Sequence, residues 1–307
     1  MMAAQFAVLG NICIDDLVFE DGSTLWGIPG GNAIYAGLGM AIWGERPQIV
    51  APVGPEYPIH RLAGRVDLSR CRPLPRTLRD WGLYEEDGTR TFVFRASTRN
   101  WHEFSPVLED VDRLEPGYVH IAPMPTELQV KFARALRDRG AKAISVDIDN
   151  RELGPIAEAN GIDWPAFLAV IDLFLPSRQD VETLLPGRSM PDALRALREL
   201  APSLPVIAIK LGARGVLVHA AGAEDFIAVP TIADTVVDAT GAGDTFSGGA
   251  IYGFARAESA LDAALSGSVS ASFAVASPGT TALVEGTREE ACRRLERLKS
   301  RIETHRL

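Results

Sequence analysis

Residues 236–254 read VVDATGAGDTFSGGAIYGF, an apolar strand-like start, a glycine-rich turn and the opening of a helix. Gly241 and Gly243 carry no side chain, so the backbone N–H groups of 241–244 can approach an anion closely at the positive end of the following helix. The pattern predicts a phosphate cradle. Asp244 on its rim would be a poor phosphate ligand, because like charges repel. A carboxylate in that place can instead accept the proton of an attacking hydroxyl, while the N–H groups stabilise charge developing on the phosphoryl oxygens. The competing role for Asp244 is a helix cap, and spacing alone does not separate the two. A dinucleotide fingerprint fits less well, since GAGDTFSG lacks the G-x-G-x-x-G spacing and comes late in the sequence.

Outward from this segment, strand-like and helix-like patterns alternate, as a parallel sheet with crossover helices requires. FAVLG (6–10), PQIVAPVG (47–54), YVHIAP (118–123), KAISVDI (142–148), IDLFLP (171–176) and VIAIK (206–210) read as buried strands. Ala33 to Trp43 reads as a tightly packed helix preceded by Gly30 and Gly31. In TELQVKFARALRDRG, Thr126 and Gln129 suggest a capping box and Gly140 a stop. GVLVHA (215–220) and FIAVP (226–230) are close enough to pair antiparallel, and helices are expected near 191–200, 242–256, 260–276 and 287–303. One stretch breaks the rhythm: WGLYEEDGTRTFVFR (81–95) predicts a hairpin turning near Asp87-Gly88. The expectation is a single domain over 1–307, with a small β lid formed by about 12–28 and 81–99 projecting over a cleft.

The 307 residues are 47% hydrophobic and 23% charged, an ordinary globular balance. A net charge of −9 argues against broad attraction to nucleic acid or anionic lipid, which would need clustered Lys and Arg. A small-molecule partner is favoured. Cys13, Cys71 and Cys292 are an odd number without CxxC spacing, which suits buried thiols in a reduced compartment. No basic flank precedes the first apolar stretch, and no uncharged run reaches the roughly 18 residues of a membrane span. A cytoplasmic protein is expected.

DATGAGDTFSGG closely resembles the C-terminal signature of the ribokinase-like (PfkB-type) carbohydrate kinases, usually written DTxGAGD. The resemblance implies Asp244 as catalytic base and Gly241, Ala242 and Gly243 as anion hole. PGGNAIYAGLGMAIWG (29–44) resembles the family's second signature, which implies substrate contacts at Gly30, Gly31 and Asn32. LGNICIDD resembles its opening strand, whose terminal acid binds sugar hydroxyls; Asp15 has the usual spacing and Asp16 competes. IAIKLGARGVLV resembles its nucleotide-side hairpin, placing Lys210, Gly212 and Gly215 near ATP. AVASPGTTA (274–282) resembles its late nucleotide loop and, with Asp238 and Thr240, implies a site for a monovalent cation such as K⁺.

Two stretches depart from the family pattern. Its N-x-x-E motif, which helps place Mg²⁺ and phosphate, falls on Ser177 to Asp180, losing the amide and shortening the acid, with Glu182 as a substitute. Residues 55–76 are shorter than the usual helical segment, and Tyr35 stands where sugar kinases often carry Asn. The resemblance implies an α/β ribokinase-like fold, a mainly parallel sheet flanked by helices, and transfer of the γ-phosphoryl group of ATP, with Mg²⁺, to a hydroxyl of a sugar or polyol. Alternatives are a nucleoside kinase, with Tyr35 or Trp26 stacking on a base; a sugar-phosphate kinase, were Arg90, Arg95 or Arg99 to enter the cleft; and a non-catalytic binding regulator. An exposed lid strand could be covered by a second subunit, giving a homodimer.

Overall fold

The computed structural model describes residues 6–86, 90–95, 101–115, 117–149, 153–158, 161–233 and 235–306. Its main sheet runs, in spatial order, Glu303–Arg306, Asp225–Val229, Val216–Ala220, Val206–Lys210, Leu173–Phe174, Ala143–Val146, Tyr118–Ile121, Phe6–Leu9 and Gln48–Val50. The last six strands are mutually parallel and the first three attach antiparallel. Continuous apolar runs such as Ala143–Val146 are buried throughout because helices cover both faces. Asn32–Ala41, Ala242–Ala257 and Ala260–Ala274 share one core, and Thr126–Asp138, Trp164–Leu168 and Met190–Leu200 the other. Among the described residues no helix is long and apolar enough to cross a membrane.

The small residues of the first helix have a direct use. A Cβ on Gly39 would strike the Thr245 carbonyl, and one on Gly248 the Ala36 carbonyl. Helices Asn32–Ala41 and Ala242–Ala257 therefore cross with their backbones in contact, which sets the glycine-rich starts of both helices side by side.

A second, four-stranded sheet has the order Thr24–Gly30, Cys13–Val18, Leu78–Tyr84, Arg90–Phe94. Its inner pair is parallel and its outer pairs antiparallel, so the expected hairpin is present. The predicted turn at Asp87-Gly88 lies outside the described residues, as does Arg99.

Three expectations change. The strand expected over 47–54 divides into Gln48–Val50 and Pro52–Val53, the latter paired with Arg72–Pro73, because Pro52 has no N–H to continue the ladder. Thr126 is not a cap: Pro125 holds that place without a side-chain bond, and Gln129 instead donates to the carbonyls of Ala122 and Asp147. The last helix stops at Lys299, and Glu303–Arg306 joins the sheet edge.

Candidate active site

The glycine turn caps its helix through backbone alone. Gly241 is the N-cap at φ 70°, with no side-chain bond. That conformation favours glycine, and a Cβ here would enter the Tyr35 ring. Gly243 is different. Its φ is not positive, and a Cβ would come 3.5 Å from Lys210 Nζ. Asp244 occupies the third helical position, so it is not the N-cap, and among the described residues no other side chain bonds to it. Burial pushes its carboxyl up to about 6, with Lys210 pulling the other way and Asp149 adding to the rise.

Ala242 and Gly243 line a cavity of ≈ 440 Å³ together with Lys210, Gly212, Gly215 and Ser177, a size suited to a small-molecule ligand. The structure thus brings four of the predicted nucleotide residues into one cavity with the glycine turn, while Asp180 is not among its lining. Gly212 (φ 60°) and Gly215 (φ 84°) shape the turn between Val206–Lys210 and Val216–Ala220. The Lys210 ammonium bonds to Asp147 and lies 3.5 Å from Ser247 Oγ. Ser247 Oγ in turn donates to Asp147 Oδ2 (3.1 Å), within reach of the Gly243 carbonyl as well (3.1 Å). Burial raises the Asp147 carboxyl to about 7 against the opposing Lys210 charge.

At the altered motif, Ser177 and Asp180 form a reciprocal cap: the Ser177 N–H donates to Asp180 Oδ2 (2.7 Å) and the Asp180 N–H to Ser177 Oγ (3.3 Å). Burial raises the Asp180 carboxyl, while Ser177 and Lys210 counter it. Glu182, the expected substitute, is instead held by Arg178 at 2.9 Å on the exposed helix face.

Strand alternation separates the two candidate acids of the opening strand. Asp16 is fully buried and clamped by Arg79 (2.6 and 2.7 Å) and Arg95 (3.1 Å). Burial alone would raise its carboxyl, yet Arg79, the Gly27 N–H and Arg95 hold it below its ordinary value. Asp15 points the other way and packs on Gly30, where any Cβ would collide with its carboxylate. Burial raises the Asp15 carboxyl, partly offset by bonds from Cys13 and Asp80. Gly31 (φ 97°) starts the first helix against the Asn11 carbonyl. Asn32 braces the neighbouring loops: its Oδ1 accepts from the Asn11 N–H (2.7 Å) and its amide donates to the Pro123 carbonyl (2.6 Å).

The pair proposed for a monovalent cation is in protein hands. Arg90 Nη1 donates to Thr240 Oγ1 (2.8 Å) and sits 3.5 Å from Asp238 Oδ1. Tyr84 Oη donates to Asp238 Oδ2 (2.9 Å), and the Gly279 N–H reaches the same oxygen at 3.3 Å. The late loop does come to Asp238, as the resemblance implies, but a guanidinium supplies the positive charge there. The suggested stacking residues also differ in fate. Tyr35 is buried beneath Gly241, and Trp26 is 52% exposed on the second sheet.

Sequence reasoning missed Asp147, Ser247, Tyr84 and Asp80. A usable signal existed for Asp147, an acid ending the apolar run AISV at the C-terminal end of a parallel strand, where α/β sheets bind ligands. Ser247 lies one turn beyond Gly243 on the same helix, within the glycine-rich segment, and Tyr84 and Asp80 are joined to the site only by tertiary packing.

The pfkB family carbohydrate kinase profile matches residues 63–286. A cytidine kinase of Thermococcus kodakarensis is 27% identical over 256 residues, covering 82% of this chain and 89% of that protein. The Arabidopsis thaliana ribokinase complexed with ribose and ATP superposes at a TM-score of 0.74 with 20% identity, over 96% of this chain and 99% of that one. A Vibrio cholerae fructokinase with fructose, ADP and calcium ion gives 0.74 with 19% identity, over 95% and 99%. These likenesses establish the shared fold, and the profile covers well over half the sequence. The chain belongs to the pfkB family of carbohydrate kinases.

Proposed function

We propose that this kinase transfers the γ-phosphoryl group of ATP to a hydroxyl of a sugar or a nucleoside. The observation that carries the reading is the position of Asp244. It stands without a side-chain partner among the described residues, directly after the cavity-lining Ala242 and Gly243, close enough for its charge to act on Cys13 beside Asp15. There it accepts the proton of the acceptor hydroxyl, while the N–H groups of 241–243 and the Lys210 ammonium take up charge developing on the phosphoryl oxygens. Gly212 leaves room for the nucleotide in the same cavity, and Gly215 lets the turn close on the Val229 carbonyl. The residues fit ATP: a glycine-lined cavity, a helix N-terminus and one ammonium. Asp180 would be the acid that holds Mg²⁺, which would neutralise charge on the ATP phosphates; one of its oxygens already accepts from the Ser177 N–H.

Two acceptors stay in view for a specific reason: the cytidine kinase is similar along most of both chains, so a nucleoside stands beside a simple sugar. The second sheet serves as a lid over the acceptor. It exposes apolar side chains on both faces, Trp81 and Val93 on one and Phe92 and Phe94 on the other, with Leu25 and Trp26 on its edge strand, and a second copy of the chain would cover part of this surface. Measuring ATP consumption over ribose, fructose and cytidine, with molecular mass read by light scattering, tests these readings. Consumption with none of the three would favour the non-catalytic binding protein, and a monomer at all concentrations would remove the dimer.

A further inference from the structure

Among the described residues, Arg90 is the only arginine of the second sheet that lines the cavity beside the glycine turn. Arg79 and Arg95, from the same region, are both turned to Asp16. The Arg90 guanidinium reaches the turn through one nitrogen: Nη1 donates to Thr240 Oγ1 (2.8 Å) and faces Asp238 Oδ1 at 3.5 Å. Among the described residues, neither Nη2 nor Nε makes a bond. A guanidinium carries five N–H donors in a fixed fork. With the side chain 30% exposed, most of that fork is left for a ligand in the cavity.

Neighbouring contacts hold the guanidinium at the turn. Tyr84 Oη donates to Asp238 Oδ2 (2.9 Å) and lies 3.0 Å from Thr240 Oγ1. On the edge strand of the same sheet, Ile28 packs on Gly279, whose N–H reaches Asp238. The second sheet is thus docked on the turn, and its arginine has little freedom to lose when a ligand arrives. Lys210 meets the other end of the turn, where a Cβ on Gly243 would come 3.5 Å from its Nζ. Both cations line the same cavity. Residues 240–243 therefore run from a guanidinium carried by the second sheet to an ammonium carried by the main sheet.

We propose that Arg90 is a phosphate-binding residue that grips the terminal phosphoryl group of ATP across the turn from Lys210. The inference rests on the kinase reading above and adds a residue to its machinery. In that reading the acceptor lies under the second sheet and the nucleotide along Lys210 and Gly212. A cation carried by the second sheet then meets the end of the triphosphate that faces the acceptor. Charge-assisted bonds from a fork of N–H donors suit phosphoryl oxygens, and they take up charge as the group is transferred. Asp238 orients the fork and occupies one nitrogen of it. Lysine could not replace it, because a single ammonium does not reach Thr240 and a phosphoryl oxygen with the same planar geometry.

The test measures ATP and ADP affinity by calorimetry, with Mg²⁺ in choline chloride, beside thermal midpoints and ATP consumption with ribose, fructose and cytidine. Choline keeps potassium from filling the place of a lost guanidinium. Arg90→Ala should weaken ATP binding at least about tenfold and ADP binding by less than about threefold, and should lower turnover at least about tenfold. Should Arg90→Ala not fold, Arg90→Lys keeps the charge and should show the same split, with ATP weakened at least about threefold. Unchanged ATP affinity in a folded variant, or equal losses for ATP and ADP, would overturn the proposal and leave Arg90 a prop of the turn. An ATP-selective loss in a protein whose wild type consumes ATP with none of the three acceptors would overturn the kinase reading and support the phosphate contact. A wild type that binds no ATP would overturn both.

Discussion

Arg90 Nη1 donates to Thr240 Oγ1 at 2.8 Å, joining a strand of the second sheet to the turn that precedes the Ala242–Ala257 helix. The same guanidinium faces Asp238, so it competes with any monovalent cation for that carboxylate. Potassium should therefore stimulate the wild-type enzyme by less than about twofold over choline, and Arg90→Ala should increase the stimulation by vacating the position. Rates in matched chloride salts check this; strong stimulation with Arg90 intact would show that the arginine yields to the ion.

Gly241 and Gly243 should respond differently to the same substitution. Gly241→Ala combines a left-handed backbone with a Cβ inside the Tyr35 ring, so its thermal midpoint should fall sharply. Gly243→Val places its bulk near Lys210 Nζ without backbone strain. It should keep its midpoint while ATP affinity and turnover drop. Normal kinetics in folded Gly243→Val would remove the phosphate-cradle argument.

The Asp15–Asp80 pair gives a pH dependence of defined sign. Asp80 is raised to about 9 in the folded protein, against roughly 3.9 when unfolded. The folded state therefore binds more protons between those values, so this group's contribution is complete below about pH 4 and is lost as pH rises toward 9. Asp80→Asn removes the titration. Its melting temperature relative to wild type should improve steadily from pH 5 to pH 8.5, and parallel curves would contradict a raised Asp80 carboxyl.

Asp244 must be ionised to act as a base, and burial raises it to about 6. The acid limb of kcat/KM should then bend near pH 6, with activity lost below it. A limb bending near pH 4, the ordinary carboxylate range, would place the essential base elsewhere.

The fold was legible because period and punctuation were clear: apolar runs such as VIAIK became buried parallel strands, and Gly140 ended its helix at φ 80°. The glycine turn was equally readable, since Gly241 needs a left-handed conformation that the sequence already advertises. Asn32 and Asp16 were harder to read, because a polar side chain beside a motif looks the same in sequence whatever it bonds to. Their hydrogen bonds to Pro123 and Arg79 are contacts 91 and 63 residues away in the chain. Asp80 carried no local sign at all, its character being set by Asp15 across a parallel strand pair.

The central claim is tested most directly by Asp244→Asn with an acceptor that the wild-type enzyme phosphorylates. Asn keeps the shape of the side chain at the third position of the helix, where no cap depends on it, but its amide cannot take the hydroxyl proton. With an unchanged thermal midpoint, turnover should fall by about 10²–10⁴ while ATP binding persists or tightens, a negative charge beside the phosphates having been removed. Turnover within about threefold of wild type in a folded Asp244→Asn protein would contradict the assignment of Asp244 as the base.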